Sequence, residues 1–348
     1  MQKPKKEILV IQDIQIGMNK KLQLVFVLLT SLILSGCLKT ESSSGKVPMD
    51  TTSVGSEVSS VSSNAIFSLL GQELPEKSLS RVEQMKRERN LNQARNNFET
   101  NPDSLENIIW YGRRLAYLGK YLESIEVYTM GLGRFPESYA LLRHRGHRYI
   151  TIRQFDKAIE DLTRAAFYVR DVDLEIEPDG IPNRLNKPLS NNKFNIWYHL
   201  GISYYLQGNF DKAISSFKKC MEASNNNDLI VATTNWFYMT YQKIGNTEAA
   251  QELLKTIDPK IRPIENQKYL DLLLLYKGIN LPGKLLNNNT NSNNSIDPTV
   301  GYGLGSWYLN QGQVETAKDI FEQVLRNPAW DAFGYIATEV EYKLLSGN

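Results

Sequence analysis

Glycine and aromatic residues recur along this chain with a spacing of about 34 residues, and this period constrains the fold more than any other feature of the sequence. Gly112 and Gly146 lie 34 positions apart, and the segment around Gly201 repeats the same local order of residues. Self-similarity at a period of roughly 20 to 50 residues is typical of proteins whose units cannot bury an apolar face alone. The period therefore predicts a stack of similar units rather than one globular core.

The segment 197–217 shows the pattern most completely. Its key residues, in order, are Trp197, Leu200, Gly201, Tyr204, Gly208, Phe210, Ala213 and Phe217. Small residues at Gly201 and Ala213 predict close contact between two antiparallel helices. Gly208 is suited to the left-handed turn between them, because glycine adopts that conformation without strain. The aromatic residues are interpreted as packing between the helices.

This order of residues resembles the tetratricopeptide repeat, whose pattern is W-x2-L-G-x2-Y followed by G-x-Y/F and A-x3-F. The resemblance covers about 105–345 and implies an all-α fold, a right-handed tetratricopeptide superhelix, which is an α-solenoid of helix-turn-helix repeats. It also implies that the first helix of each pair lines a groove and that the protein binds another protein or peptide. As a whole, the chain resembles tetratricopeptide bacterial lipoproteins of unassigned function.

Departures from the repeat mark the expected boundaries within the solenoid. We expect N-terminal capping helices at 65–104, an insertion at 171–194 and an Asn-rich loop at 287–295. The unit before this loop is expected to be degenerate, with a second helix reduced to 282–286.

The end of the solenoid is predicted to be a helix over 332–345. A terminal repeat needs a polar outer face, since no further unit covers it. We assign Glu339, Glu341 and Lys343 to that outer face.

The N-terminal part has the composition of a targeting segment. Residues 18–36 combine two lysines, an apolar run and small residues, which is typical of a signal peptide. The preceding residues 1–17 are interpreted as an extension ahead of a true start at Met18. The serine-rich residues 37–64 lack an apolar period and are predicted to be a disordered tether.

The sequence Leu34-Ser35-Gly36-Cys37 resembles the bacterial lipobox. The resemblance implies that Cys37 is lipidated, and acyl chains of this kind, such as palmitate, anchor a protein by burying methylene groups in the bilayer. Leu38 follows the cysteine, whereas an aspartate there is the inner-membrane retention signal of many such proteins. We therefore expect a lipid-anchored protein of the outer membrane that faces the periplasm.

Charge and motifs exclude several classes of function. Forty lysines and arginines are balanced by 38 acids, so there is no reason to expect a nucleic-acid partner. No G-x-S-x-G, HExxH or phosphate-binding glycine loop occurs, and we expect no cofactor and no catalytic residue. His144 and His147 are spaced as metal ligands sometimes are, but the arginines that flank them disfavour a cation.

A dense run of cations precedes and opens the second helical pair. The repeat phase predicts that six residues face the groove: Arg113, Tyr117, Arg143, His147, Tyr198 and Tyr205. Arginine forks are suited to carboxylates, and tyrosines give rigid contact area. We hypothesise a groove that grips an acidic peptide or a C-terminal carboxylate; the alternative is that the arginines are solvated or paired with acids of neighbouring helices.

The insertion at 171–194 carries alternating acids between Asp171 and Asp179. These acids could satisfy the groove arginines within the molecule, bind Ca²⁺, or contact a partner. The sequence lacks the glycine and glutamate spacing of a calcium loop, so we favour the intramolecular role.

The repeats and the targeting segment together predict a membrane-anchored scaffold for protein–protein interaction in the bacterial cell envelope. Two alternatives stay open at this point. One is a hydrolase or metal-dependent enzyme that uses the groove, and the other is a purely structural envelope lipoprotein, which a groove filled by the chain itself would support.

Overall fold

A computed structural model describes residues 65–347, and within them every regular element is a helix. The predictions for 1–17, 18–36, Cys37 and the tether before residue 65 lie outside the described residues. The described helices are α1 (Arg81–Thr100), α2 (Leu105–Tyr117), α3 (Tyr121–Arg134), α4 (Tyr139–Thr151), α5 (Phe155–Tyr168), α6 (Asn192–Leu206), α7 (Phe210–Ala223), α8 (Asn227–Lys243), α9 (Thr247–Lys255), α10 (Gln267–Tyr276), α11 (Pro282–Asn289), α12 (Pro298–Asn310), α13 (Val314–Leu325) and α14 (Phe333–Ser346).

The helices from α2 to α13 form six consecutive hairpins that stack in chain order, although α11 of the fifth hairpin packs mainly on α12 rather than on α10. We call α2, α4, α6, α8, α10 and α12 the first helices. The predicted all-α solenoid of helix-turn-helix repeats is confirmed. Several first helices begin where a polar side chain accepts a hydrogen bond from a free backbone N–H, as Ser104, Ser138, Asn191 and Asn226 do.

Five of the six hairpins turn through a glycine with positive φ. These residues are Gly119, Gly208, Gly245, Gly278 and Gly312, with φ between 69° and 84°. The left-handed turn predicted at Gly208 is thereby confirmed. The hairpin α4–α5 has Arg153 at the corresponding position, with φ of 64°, although a side chain is strained in this region.

In four of the hairpins, a second-helix side chain lies directly over a first-helix glycine. A Cβ atom on that glycine would lie 2.2–2.7 Å from the covering side chain, which is closer than real atoms approach. The four pairs are Gly112 with Tyr128, Gly146 with Leu162, Gly201 with Phe217, and Gly305 with Phe321. The recurring glycines therefore set the distance between paired helices.

The prediction of capping helices at 65–104 differs from the structure in the number of helices. Residues 65–104 contain one helix, α1, rather than several, and residues 65–80 run as irregular chain with an isolated bridge between Phe67 and Glu73. The degenerate unit is present, but its second helix, α11, extends to Asn289 and so takes in the start of the asparagine tract.

The terminal helix α14 is confirmed, but the outer face assigned to it is wrong. Glu339 is fully buried and Glu341 is 7% exposed, whereas Lys343 is exposed as expected. The two acids are buried because each meets a cation from an earlier repeat: Arg153 pairs with Glu339, and Lys243 pairs with Glu341. The helix is therefore covered where a terminal repeat would be open.

Among residues 65–347, no helix combines the length and apolar character needed to span a bilayer. Cys220, in the same range, is buried against Thr233, and burial raises the pKa of its thiol to about 12.

Two glycine substitutions distinguish this packing from ordinary helix propensity. We expect Gly201→Ala to lower the free energy of unfolding by about 1–3 kcal/mol, because the new methyl group meets the Phe217 ring. The matched control is Gly133→Ala near the end of α3, where a Cβ meets no atom within 4 Å. It should raise stability by up to about 1 kcal/mol. Urea denaturation followed by circular dichroism measures both changes, and equal effects at the two positions would contradict the account.

Candidate functional site

The face formed by the first helices holds all six residues predicted to bind a peptide. Arg113 and Tyr117 lie on α2, Arg143 and His147 on α4, and Tyr198 and Tyr205 on α6. The first five line one cavity of about 260 Å³, whereas Tyr205 lies outside it. Five of the six residues that the repeat phase assigned to the groove therefore line the same cavity.

Arg143 is held by the acidic insertion. Its Nη2 lies 2.8 Å from Glu177 Oε2, and its Nη1 lies 2.6 Å from His144 Nδ1. The guanidinium is buried, and this burial lowers its pKa while Glu177 opposes the change. The predicted intramolecular role of the insertion is confirmed for this arginine.

Two further arginines of α2 bind the insertion through backbone carbonyls rather than carboxylates. Arg113 Nη2 donates to Pro178 O at 2.8 Å, and Arg114 Nη1 donates to Gly180 O at the same distance. Both guanidinium groups also lie over the Trp110 ring. The insertion therefore crosses the ends of α2 and α4 and covers this part of the face.

His144 and His147, whose spacing resembles that of metal ligands, contact different neighbours. His144 stacks on Tyr128, while His147 packs against His199, with 4.2 Å between ring centroids. Burial, followed by the charges of nearby arginines, lowers the pKa of His147 and lowers that of His199 to about 3. These imidazoles are neutral at pH 7. Within residues 65–347, no group of three or more His, Cys, Asp and Glu side chains is arranged to hold a metal ion.

Tyr198 and Tyr205 are buried in an aromatic cluster that crosses the face. The Tyr198 hydroxyl lies 3.1 Å from the Tyr269 hydroxyl, and the Tyr205 hydroxyl bonds that of Tyr302. The Trp236 ring packs against both Tyr205 and Tyr302. The first helices α6, α8, α10 and α12 therefore close on one another in the described chain. The binding role of the two tyrosines stays a prediction, and a peptide reaches them only if this cluster opens.

Helix α14 covers the face between α4 and α6. Its Phe333 packs on His147 and His199, at centroid distances of 5.2 and 5.5 Å. Further along, Glu339 accepts hydrogen bonds from Arg153 Nε and Nη2 at 3.0 and 2.6 Å. The two side chains are 3% and 0% exposed, so the pair is shielded from solvent.

The irregular N-terminal segment completes this covering. Leu69 N donates to Glu339 Oε2 at 3.2 Å, and Trp330 Nε1 donates to Pro75 O at 2.8 Å. Asp331 is the common partner of Lys77 and Tyr121. Both ends of the described chain thus meet on the face of the first helices. The sequence did not predict these contacts. The one signal for them was Arg153, which stands at the turn position where the other five hairpins have glycine.

Comparisons with known proteins agree with the repeat fold. Two tetratricopeptide-repeat family models match residues 194–227 and 300–328. The protein titled BBSome complex member BBS4 of Bos taurus is 29% identical over 154 residues, which cover 42% of this chain and 25% of that protein. The chain thus spans about a quarter of the length of the curated relatives it matches.

Two solved structures show the extent of the structural likeness. A tetratricopeptide repeat protein from Parabacteroides merdae has a TM-score of 0.45 at 13% identity, with 75% of this chain and 94% of that one covered. YrrB, described as a TPR protein with an unusual peptide-binding site, has a TM-score of 0.39 at 14% identity, with 70% and 95% covered.

Proposed function

We propose that this chain, which is a tetratricopeptide-repeat protein, works as a lipid-anchored scaffold that holds other proteins in the bacterial cell envelope. Stacked repeats of this kind support protein–protein interaction, and that much follows from the family. The anchor, the envelope address and the kind of partner are the parts we propose.

The anchor is supported by the sequence alone. The order Leu34-Ser35-Gly36-Cys37 after an apolar run is suited to diacylglycerol transfer to the Cys37 thiol. With Leu38 at the next position, we place the protein at the outer membrane, facing the periplasm.

The partner is proposed to present an acidic segment or a C-terminal carboxylate. The observation that carries this proposal is that Arg143 and Arg113 already hold an extended, acid-bearing segment of the chain itself. A partner segment with the same chemistry can replace Glu177 and the neighbouring carbonyl groups. The exchange is balanced because Arg143 moves from one carboxylate to another and is never left buried and unpaired.

An enzymatic role is the less favoured interpretation. Cys220 is a protonated, buried thiol, and the cavity histidines are neutral and packed against aromatic rings. A purely structural role is the stronger second candidate, because α14 and the aromatic cluster fill much of the face that would receive a ligand.

Partner capture in cells tests the scaffold. We expect Arg113→Ala to reduce the yield of a photo-crosslinked partner trapped at position 117. Glu177→Gln should raise that yield, because it weakens the hold of the insertion on Arg143. Arg170→Ala is the control, since Arg170 is half exposed and its guanidinium contacts Asp171 and Phe167 rather than the cavity. Equal yields from all these variants would contradict a peptide-binding face and favour the structural role.

Substitution of the proposed lipid-bearing cysteine tests the anchor separately. We expect Cys37→Ser to abolish incorporation of a palmitate analogue and to move the protein from the membrane fraction to the soluble fraction. Cys220→Ser is the control and should keep both label and membrane association, because that side chain is buried in the repeats. Full labelling of Cys37→Ser would end the lipoprotein proposal.

A further inference from the structure

The cavity beside the acidic insertion has cationic side chains but no acidic one in its wall. The wall comes from α2, α3, α4 and α6 and includes three arginines and three histidines, and no aspartate or glutamate lines it. One carboxylate, Glu177, reaches one of these arginines from the insertion.

The other two arginines of the wall have no ionic partner within residues 65–347. Arg113 donates to the Tyr117 hydroxyl and the Pro178 carbonyl, and Arg148 lies over the Tyr121 ring at 5.3 Å. Clustered like charges repel one another, and this repulsion destabilises the cavity in the absence of a counter-charge. Asp179 of the insertion attracts Arg113 without forming an ion pair with it, so this wall carries more positive charge than its direct ion pairs neutralise.

Arg143 adds an unused hydrogen-bond donor. It is 9% exposed, and its Nε has no acceptor among the described residues. A buried donor left unpaired costs about 1–3 kcal/mol, more for a charged group. An oxygen atom of an anion in the cavity is the acceptor that this group lacks.

The neutral imidazoles fit the same occupant. His144, His147 and His199 stay unprotonated because burial and the neighbouring arginines oppose a further positive charge. His144 Nδ1 contacts Arg143 Nη1, and His199 Nδ1 donates to Asn195 O. The N–H groups available to an anion are therefore those of His144 and His147, which add no further cation to the cluster.

The volume of the cavity and the segments around it limit the size of a ligand that can bind there. A cavity of about 260 Å³ is much larger than the roughly 10–15 Å³ that one water needs. Glu177 and Pro178 of the insertion contact two arginines of the wall, and Phe333 of α14 packs on His147 and His199. These segments therefore border the cavity without lining it. A small ion fits beneath these segments, whereas a polypeptide has to displace them.

We propose that this cavity is a binding site for a small oxyanion, either a short dicarboxylate or inorganic phosphate, held by Arg113, Arg143 and Arg148. The site shares Arg113 and Arg143 with the proposed partner contact, but it works with the insertion in place and needs no protein partner. Its occupant neutralises the arginine cluster and so stabilises the contacts between α2, α4, α6 and the insertion.

Calorimetric titration of the purified full chain with malonate and, separately, with phosphate tests the site. At fixed ionic strength, we expect one of them to bind with a dissociation constant of about 1 mM or lower. Arg148→Gln should weaken that binding about tenfold or more, because it removes one charge-assisted contact. Arg170→Gln is the matched control, as its side chain is half exposed and does not line the cavity, and it should leave the affinity unchanged.

A second measurement separates binding from a folding defect. Circular dichroism checks that both variants are folded, and NMR of the histidine rings should show the signals of His147 and His199 moving on titration. The proposal is overturned if neither anion binds, if chloride at equal ionic strength has the same effect, or if the two variants lose affinity equally. Binding of an acidic peptide that malonate cannot displace also overturns it.

Discussion

The ion pair between Arg153 and Glu339 is the interaction on which the described structure most depends. It joins the turn of the second repeat to the last helix, 186 positions later in the chain. Removing one partner of a buried ion pair costs about 3–5 kcal/mol, since the other charge is then left uncompensated. Arg153 is also held in a left-handed conformation that glycine occupies in the other turns. The side chain that makes that turn strained is the one that fixes α14 on the face of the first helices.

The closed face changes how the repeats can work. An open solenoid presents its first helices to a ligand, whereas here α14, residues 65–80 and the acidic insertion occupy much of that surface. The tyrosines and Trp236 that would line a groove contact each other instead. A ligand can reach the arginines of α2 and α4 either by entering beneath the insertion or by displacing it. If the partner is acidic, as we propose, its negative charge is recognised by this small region rather than along the whole stack.

The repeat fold could be predicted because its determinants are local. Gly208 has to turn left-handed and Gly201 has to leave room for Phe217, and both requirements act within one unit of about 34 residues. The same phase placed Arg113, Tyr117, Arg143, His147 and Tyr198 at one cavity. The contacts that close the face could not be predicted in this way. Tyr205 meets Tyr302 across 97 positions, and Glu339 looks like a solvent-facing residue until its distant arginine is known.

Hydrogen exchange of the backbone amides in α14 tests the closed face most directly. The account predicts that these amides exchange about as slowly as those of α12, because the helix packs on α6, α12 and α13 and its Glu339 is held by Arg153. It also predicts that Arg153→Met accelerates exchange in α14 by roughly a hundredfold or more, while the far repeats keep their protection. If the amides of α14 in the unaltered protein exchange as fast as those of a frayed terminal helix, the closed face is contradicted. The first helices would then be exposed to solvent.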